Sequence, residues 1–473
     1  MTPPSILAGR APRLVVLGLD CAPPQLVFDQ FAGDLEHLQR IRSEGVWGEL
    51  QSIIPAITVP AWACSMTSRD PGQLGIYGFR NRADYSYDAL RIADSTMVRE
   101  EAAWDIISRA GEHVILVGVP PGYPPKPVNG CAVGCFLTPS TNSDYTYPST
   151  LRDEIRSVVG DYAVDVDNFR SDENDRILAQ VHDMTRRRFA LFRHLIKTRP
   201  WQFAMMVEIG VELMHHGFWR FFDERHHRFE PGNPFRNAIR DYYRLVDAEV
   251  GAVLRELDDD VAVMVYSDHG AQLMEGGICV NEWLIQEGYL TMRSAPAEPT
   301  SLSPADVDWS RTKAWGEGGY YARISLNVQG RESQGVVAPD EYEAVRDELA
   351  RKLAASPDEH GNDLGTRVFK PEEIYRAQRN VAPDLLAYFG DLRWRSVGRI
   401  GTGMVHTHEN DTGPDDANHA EQGIFMLRAP GLDAGRRIDS ARLIDCGPTA
   451  LDLLGYAVPG EMIGRPISAG ERT

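Results

Sequence analysis

The sequence predicts an α/β fold with a mostly parallel central sheet flanked by helices on both faces. Two observations predict it: short apolar runs of strand length recur along the chain, and segments with helical periodicity separate them. A continuous apolar run is typical of a strand that is buried on both faces. Strands that alternate with helices favour parallel pairing within one sheet. No linker composition divides the chain, so we predict a single domain over residues 1–473.

Five apolar runs are the candidate strands of this parallel sheet: Leu14–Asp20, His113–Val119, Phe203–Glu208, Val261–Asp268 and Gly423–Arg428. The first and fourth runs end in Asp20 and Asp268. Ligands of parallel sheets bind outside the carboxyl ends of the strands. We therefore expect Asp20 and Asp268 to lie close together at that edge, although they are far apart in sequence.

Helical periodicity appears between and after these runs. Apolar residues share one helical face in Tyr242–Leu257 and in Tyr342–Leu353. A long charged helix is predicted over about residues 171–198. Near the C-terminus, Pro448 suits the first turn of a helix that stops at Gly455.

Charge and cysteine content restrict the partners and the compartment. A formal net charge of −19 argues against binding to a nucleic acid backbone, since basic patches supply that affinity. A small anionic substrate remains compatible, because metal ions or a few arginines reverse the local potential. We expect the six cysteines to be reduced and mostly buried. The N-terminal segment lacks the apolar region of a signal peptide, and no apolar run is long enough to span a membrane. These features predict a cytoplasmic protein without a membrane partner, and they leave the oligomeric state open.

The fourth apolar run continues into Ser267–Gly270, which contains an adjacent acid and imidazole. Asp268 and His269 at a strand end can both reach one cation, and carboxylate and imidazole are typical zinc ligands. The alternative is structural: Asp268 caps a following helix and His269 bonds to the backbone. The short motif alone does not separate the two interpretations.

Two further segments are rich in metal-ligand side chains. Glu212 and His216 are four residues apart, so on a helix they share one face and can bind one ion. His215 is a competing partner, and a surface Glu–His pair is the alternative. The segment 406–419 holds three of the 13 histidines, and its Gly and Pro residues predict a loop. A solvated polar loop is the alternative there, but the concentration of His favours a metal loop.

Thr58 is the candidate nucleophile. Pro60 follows it closely, which suits a helix N-terminus, where free N–H groups stabilise an anion. A Thr hydroxyl is a poor nucleophile until a base or a metal lowers its pKa. The alternative is a threonine that only caps the helix.

These four segments, in this order, resemble the alkaline phosphatase superfamily, and within it the type I phosphodiesterase/nucleotide pyrophosphatase branch. The likeness extends from Val15 to about Pro466. It includes Gly-Ile-Tyr-Gly-Phe at 75–79, Gly-Pro-Asp-Asp-Ala-Asn-His at 413–419 and the ending Pro448–Gly455. The resemblance implies an alkaline-phosphatase-like fold with insertions or cap elements at about residues 120–200 and 275–415.

The resemblance also implies two divalent metal ions, zinc in most of the family and manganese or magnesium in some branches. One ion would be surrounded by Asp20, Thr58, Asp268 and His269, and the other by Glu212, His216 and His419. This chain departs from the family at two positions. Glu212 replaces the usual Asp, and Leu74 stands where many relatives have His, at a position that is not a ligand.

By this resemblance Thr58 attacks phosphorus in line and forms a phosphothreonine ester, which water then hydrolyses. Side chains that would hydrogen-bond to the metal ligands are Asp415, Asp416 and Asn418. Candidate substrate-binding residues, on sequence proximity to Thr58 alone, are Arg80, Asn81 and Arg82.

The implied substrate is small and phosphorylated, with a nucleotide among the candidates, and we expect phosphodiesters or nucleotide anhydrides to be preferred. Alternatives on the same metal core are a phosphomonoesterase, a phosphonate hydrolase and a phosphomutase or transferase. The sulfatase branch is disfavoured because Cys64 lacks the Cys-x-Pro-x-Arg context. The phosphoglycerate mutase branch is disfavoured because it uses a serine in a different surrounding, for which Ser65 is the only nearby substitute. A catalytically silent binding protein is disfavoured because the ligand set is complete.

Overall fold

The computed structural model describes residues 11–467. Its strands, in chain order, are β1 (Leu14–Leu19), β2 (Val46–Gln51), β3 (Arg80–Arg82), β4 (Leu90–Ile92), β5 (Val114–Val117), β6 (Gly130–Val133), β7 (Thr146–Tyr147), β8 (Phe203–Glu208), β9 (Ala262–Tyr266), β10 (Gly270–Leu273), β11 (Gly276–Cys279), β12 (Thr300–Ser301), β13 (Ala314–Glu317), β14 (Ala322–Leu326), β15 (Arg367–Phe369), β16 (Leu385–Tyr388), β17 (Trp394–Val397), β18 (Arg399–Ile400), β19 (His406–Thr407), β20 (Ala417–Ala420), β21 (Gln422–Arg428) and β22 (Arg436–Arg442). The α-helices are α1 (Glu36–Glu44), α2 (Thr58–Thr67), α3 (Pro71–Leu74), α4 (Ala103–Arg109), α5 (Leu151–Val159), α6 (Asn174–Thr198), α7 (Gly210–Phe222), α8 (Ala238–Leu254), α9 (Val280–Gln286), α10 (Tyr342–Ala354), α11 (Pro371–Ile374) and α12 (Cys446–Leu453).

A nine-stranded sheet forms the centre of the fold, in the order β22-β2-β21-β9-β1-β8-β5-β6-β7. The five neighbours from β9 to β6 all pair in parallel. Every residue of β1, β8 and β9 is buried, as expected for strands covered on both faces. The predicted mostly parallel sheet is therefore confirmed.

One predicted strand runs in the other direction. We placed Gly423–Arg428 among the parallel strands, but β21 pairs antiparallel with both β2 and β9. The prediction of its direction was wrong because a continuous apolar run indicates burial on both faces but carries no information on strand direction. β2 was not predicted, and its residues alternate between buried and more exposed positions.

Helices cover both faces of the sheet. Alternate residues of β1 divide between two apolar clusters: Val15 and Leu17 pack with α1, α6, α7 and α8 on one face. Leu14 and Val16 pack with α2, α4 and α12 on the other. The helices predicted from periodicity are present as α6, α8, α10 and α12, and α12 begins two residues before Pro448.

The chain from β11 to β19 forms small separate sheets, including β13-β14-β16-β15 and β17-β11-β19. These sheets enclose an apolar cluster of their own, which includes Trp283 and Trp315. This part of the chain lies within the 275–415 segment for which we predict cap elements, and we name it the cap segment. The 120–200 segment supplies the last two strands of the sheet, β6 and β7, together with α5 and α6.

Three sequence features predicted a cytoplasmic location: the N-terminal segment, the lack of a long apolar run and the cysteines. The structure describes only part of the residues concerned. Residues 1–10, where we find no signal-peptide pattern, lie outside them. Within residues 11–467, no helix is both long and apolar enough to cross a membrane. All six cysteines are free and buried, as expected.

Candidate active site

The carboxyl ends of the adjacent strands β1 and β9 bring Asp20 and Asp268 together. Asp20 Oδ2 accepts a hydrogen bond from Trp62 Nε1 at 2.8 Å, and Asp268 Oδ1 accepts one from the backbone N of Cys21 at 3.1 Å. The second oxygen of each carboxylate is buried and has no hydrogen-bond partner. His269 completes a buried group whose ligand atoms could hold one metal ion, and we name Asp20, Asp268 and His269 the first cluster.

A second group lies beside it, on α7 and β20. Glu212 and His216 share one helical face, as predicted, and His419 reaches them from β20. Glu212 Oε1 lies 3.6 Å from His216 Nε2 and 3.5 Å from His419 Nε2, and these atoms could also hold one ion. We name these three residues the second cluster. The structure differs here from both structural alternatives considered for the sequence. The Glu212–His216 pair is buried and not on the surface, and His419 lies on a strand and not in a solvated loop.

Thr58 lies between the two clusters. It is the first residue of α2 and is fully buried. Its Oγ1 lies 3.1 Å from Glu212 Oε1 and 3.4 Å from His269 Nε2. The preceding residue provides no side-chain cap, so the N–H groups of the first helical turn remain free for an anionic ligand.

The imidazoles of His216, His269 and His419 all direct Nε2 towards the two clusters, because each Nδ1 has a hydrogen-bond partner on the other side of the ring. Nδ1 of His216 lies 2.7 Å from Asp415 Oδ1, that of His419 lies 2.9 Å from the carbonyl oxygen of Ala56, and that of His269 lies 3.2 Å from the Gly270 carbonyl oxygen. Carbonyl and carboxylate oxygens accept hydrogen bonds, so each Nδ1 carries the hydrogen. The Nε2 atoms are therefore available as metal ligands, which is the arrangement typical of metal-binding histidines.

The clusters hold more negative charge than their own side chains balance. Burial raises the pKa of Asp20 well above its usual value, and the Asp268 and Glu212 charges add to the effect. Burial and the Glu212 charge likewise raise the pKa of Asp268. Burial alone would raise the pKa of Glu212, but His216 and His419 hold it well below its usual value. Divalent cations would supply the missing positive charge, so the donor set fits them.

Residues around the second cluster hold its imidazoles in place. Asp415, which bonds to His216, also accepts from Arg170, Arg395 at 3.1 Å and the Tyr320 hydroxyl at 3.2 Å. These neighbours keep the pKa of Asp415 well below its usual value, although burial opposes them.

The other two residues predicted to bond to metal ligands have different partners. Asp416 donates its backbone N–H to the His216 carbonyl oxygen at 2.8 Å, and its carboxylate lies 3.6 Å from Arg220 Nε. Asn418 Nδ2 donates to the Tyr320 carbonyl oxygen at 3.2 Å. Both therefore act on the backbone around the second cluster, whereas Asp415 bonds to a ligand side chain.

Several predicted residues lie apart from the two clusters. His215 Nε2 is 3.2 Å from the Tyr243 hydroxyl, so it does not compete with His216. Within the segment 406–419, His406 and His408 pack near Trp394 and only His419 joins a cluster.

The three candidate substrate-binding residues lie on β3. Asn81 accepts from the backbone N of Tyr77 and donates to the Gly78 carbonyl oxygen, which holds a turn. Arg82 pairs with the buried Glu332 at 3.2 Å, and the Arg80 carbonyl oxygen accepts from Arg323. Their role in substrate binding stays a prediction.

The sequence did not indicate Trp62, Arg170, Tyr320 and Arg395 as parts of this site. Trp62 lies inside the nucleophile segment, and its spacing of one helical turn from Thr58 is a signal that was present. Arg170, Tyr320 and Arg395 come from distant parts of the chain and carry no local motif. Their contribution is visible only through their contacts with Asp415 and with the imidazole rings.

Comparison with protein-family models identifies the class of protein to which this fold belongs. The chain belongs to the type I phosphodiesterase/nucleotide pyrophosphatase family, whose model matches residues 14–415. His419 lies just beyond that match, and the other six residues of the two predicted ligand sets lie within it. No curated protein matches the chain.

Solved structures share the fold at low sequence identity. Murine ectonucleotide pyrophosphatase/phosphodiesterase 5 superposes with a TM-score of 0.55 at 15% identity, over 94% of this chain and 96% of that chain. An inactive form of it in complex with AMP gives the same values. Phosphonoacetate hydrolase from Sinorhizobium meliloti 1021, in complex with phosphonoformate, gives 0.57 at 15% identity, over 96% of this chain and 100% of that chain. The family match confirms the predicted type I phosphodiesterase/nucleotide pyrophosphatase branch, and these structures confirm the predicted fold.

Proposed function

We propose that the protein is a two-metal-dependent phosphoryl hydrolase that cleaves phosphodiesters or nucleotide anhydrides through a phosphothreonine intermediate. The observation that carries this proposal is the position of Thr58 Oγ1, 3.1 Å from Glu212 and 3.4 Å from His269. A hydroxyl between two acid–imidazole clusters, at a helix N-terminus, is suited to attack a phosphorus atom whose oxygens bind beside it.

Two divalent cations fit the donor set. The first would be held by Asp20, Asp268, His269 and Thr58, and the second by Glu212, His216 and His419. Imidazole nitrogen and carboxylate oxygen suit zinc, and the carboxylates also suit manganese or magnesium. When bound, such cations lower the pKa of a coordinated hydroxyl and stabilise the charge on the phosphoryl and leaving oxygens.

The side chains of this chain have separate tasks in the reaction. Thr58 Oγ1 forms a new bond to phosphorus while the bond from phosphorus to the leaving oxygen breaks. Water then hydrolyses the phosphothreonine ester, which releases the phosphoryl product and restores the hydroxyl. The free N–H groups at the start of α2 bind phosphoryl oxygens. Asp415 and the Ala56 carbonyl keep the Nε2 atoms of His216 and His419 available to the metal.

The charges near Thr58 favour a diester over a monoester. A monoester dianion brings additional negative charge to phosphorus, which enzymes often balance with an arginine or lysine. Within residues 11–467, no Arg or Lys hydrogen-bonds to Thr58 or pairs with Glu212. Two buried arginines of the fold, Arg82 and Arg188, pair instead with Glu332 and Glu208.

The similar structures suggest two ligand chemistries. The murine protein was solved with AMP, which supports a nucleotide as the substrate or product. Phosphonate hydrolysis is the second candidate, because phosphonoacetate hydrolase shares the fold over nearly the whole chain. Monoester hydrolysis and phosphoryl transfer to an alcohol are further alternatives on the same core. We keep a cytoplasmic location as part of the proposal, since all six cysteines are free and buried.

Metal analysis paired with turnover of two model substrates tests the proposal. We expect about two metal ions per chain, with bis-p-nitrophenyl phosphate cleaved faster than p-nitrophenyl phosphate. A chelator should abolish turnover and added zinc should restore it. Faster cleavage of the monoester would indicate a phosphomonoesterase. Phosphate release from phosphonoacetate, with neither nitrophenyl substrate cleaved, would favour a phosphonate hydrolase. No metal and no turnover after reconstitution would contradict the two-metal mechanism.

A further inference from the structure

Tyr320, from the cap segment, packs against the imidazoles of the second cluster. Its ring stacks on His419 with centroids 4.0 Å apart at 28°, and on His216 with centroids 4.9 Å apart at 20°. His419 in turn stacks on His269 at 3.9 Å and 19°. Tyr320 is only 8% exposed, so these contacts are shielded from water. One phenol ring therefore restricts rotation of both histidines of the second cluster.

The hydroxyl of Tyr320 joins the polar groups behind the same histidines. It accepts a hydrogen bond from Arg170 Nη2 at 2.8 Å and donates one to Asp415 Oδ2 at 3.2 Å. Asp415 uses its other oxygen to orient His216. The Arg395 guanidinium lies 5.4 Å from the centre of the Tyr320 ring and also bonds to Asp415. The tyrosine thus restrains His216 twice, through its ring and through Asp415.

Among residues 11–467, Tyr320 makes no ring contact or hydrogen bond with a side chain of the first cluster. Asp20 is held by Trp62, Asp268 by the backbone N of Cys21, and His269 Nδ1 by the Gly270 carbonyl oxygen. Two indirect links join the first cluster to Tyr320. One runs through the stack of His269 on His419, and the other runs through Thr58, whose Oγ1 lies near both His269 and Glu212. A substitution of Tyr320 should therefore weaken metal binding more at the second cluster than at the first.

We propose that Tyr320 is a positioning residue that sets the affinity of the second cluster for its metal ion, so that the cap segment controls how firmly one of the two ions is held. The inference rests on the proposed two-metal function. Holding both Nε2 atoms towards Glu212 before the ion arrives removes the cost of ordering the rings on binding. Loss of such an outer contact typically weakens metal binding by about 10–100-fold.

The test is a titration of the metal-free protein with Zn²⁺ and Co²⁺, read as stoichiometry, affinity and the cobalt absorption spectrum. We expect wild type to bind two ions. Tyr320→Ala should keep one affinity and weaken the other at least about tenfold. Tyr320→Phe keeps the stacked ring but loses two hydrogen bonds, and should weaken the same ion about threefold. Turnover of Tyr320→Ala should recover when zinc is raised, with kcat near the wild-type value.

Tyr321→Phe is the matched control. Tyr321 is the neighbouring buried tyrosine, and its hydroxyl bonds to the Tyr77 carbonyl oxygen, away from both clusters. The Tyr321→Phe variant should bind both metal ions with wild-type affinity. Wild type binding fewer than two ions would overturn the proposed function, whereas two ions with unchanged affinities in Tyr320→Ala would overturn the role of Tyr320 alone. If Tyr320→Ala does not fold, Tyr320→Leu replaces it, because leucine fills part of the space but lacks the ring and the hydroxyl, and unchanged affinities in that variant overturn the role.

Discussion

Asp415 Oδ1 lies 2.7 Å from Nδ1 of His216, and both side chains are buried. The carboxylate selects the imidazole tautomer that presents Nε2 to the second cluster. We expect Asp415→Asn to weaken binding of one of two metal ions by about 10–100-fold, measured by titration of the metal-free protein. Glu154→Gln is the control, because Glu154 Oε1 lies 2.9 Å from His194 Nε2 and neither residue belongs to a cluster. Equal affinities in the two variants would contradict this role of Asp415.

The nucleophile assignment predicts a large loss of turnover on removal of one hydroxyl. Thr58→Ala should lower kcat on the order of a thousandfold or more, and Thr58→Ser should retain part of the activity. Wild type quenched during turnover of a diester should carry on Thr58 one phosphoryl group with its remaining ester substituent, detected by mass spectrometry. Thr67→Ala is a control at the other end of α2, where the hydroxyl only bonds to the Ala63 carbonyl oxygen. Near-wild-type turnover in Thr58→Ala would refute the assignment.

Glu212 and Glu208 lie close in sequence but should behave differently. Glu212→Gln is expected to lower the metal content by about one ion per chain, because it removes a charged ligand from the second cluster. Glu208 faces away, with its Oε1 3.3 Å from Arg188 Nη1 and 2.9 Å from the backbone N of Gly210. Glu208→Gln should keep both ions and lower the free energy of unfolding by about 3–5 kcal/mol, the cost of breaking a buried pair.

Elemental analysis and chemical denaturation separate these two outcomes. If Glu212→Gln keeps its metal content and Glu208→Gln loses one ion, then Glu208 and not Glu212 is the ligand of the second ion. Glu212→Asp shortens the carboxylate side chain by one methylene, and should keep two ions while changing the order of preference among zinc, manganese and magnesium.

The buried His226 should make the free energy of unfolding depend on pH. Burial lowers its pKa to about 3, and the charges of His227 and Arg228 act in the same direction. Its Nδ1 accepts a hydrogen bond from the backbone N of Arg228 at 3.1 Å, which requires the neutral ring. Between about pH 6.5 and pH 3 the unfolded chain binds more protons at this site than the folded protein does. Stability therefore falls as the pH falls, by at most about 1.4 kcal/mol per pH unit from this group.

Denaturant unfolding at pH 7 and at pH 5 checks the prediction. His226→Asn keeps an acceptor near the Nδ1 position but does not titrate, so it should lose less stability than wild type between the two pH values. His360→Gln, at a largely exposed histidine, should follow wild type. The same pH dependence in wild type and His226→Asn would count against the effect.

Local patterns in the sequence were sufficient to predict the residues that form the two clusters and the candidate nucleophile. Asp20 and Asp268 were predicted to meet because they follow strands that pair in parallel, and they do. The spacing of Glu212 and His216 placed them on one face of a helix, and Thr58 begins a helix as predicted. These features follow from short-range geometry: a strand end, a helical turn and a helix N-terminus are each encoded within a few residues.

Other predictions required information that the local pattern does not contain. The direction of β21 was mispredicted, because an apolar run is the same in a parallel and in an antiparallel strand. In the segment 406–419, the residue type alone does not separate three histidines. The resemblance to the family predicted His419, and the pairing of β20 with β10 is what brings it to the second cluster. Strand pairing between distant segments depends on the whole fold, so composition alone cannot choose among such residues.

The sequence by itself determined the fold class, the nucleophile candidate and the residue types that fit two divalent cations. Only the tertiary structure decided how those residues are held. Tyr320, Arg170 and Arg395 reach Asp415 and the imidazoles from separate parts of the chain, and no spacing rule connects them. The physical reason is that a metal ligand is recognisable from its own chemistry, whereas a residue that orients it is defined only by contact.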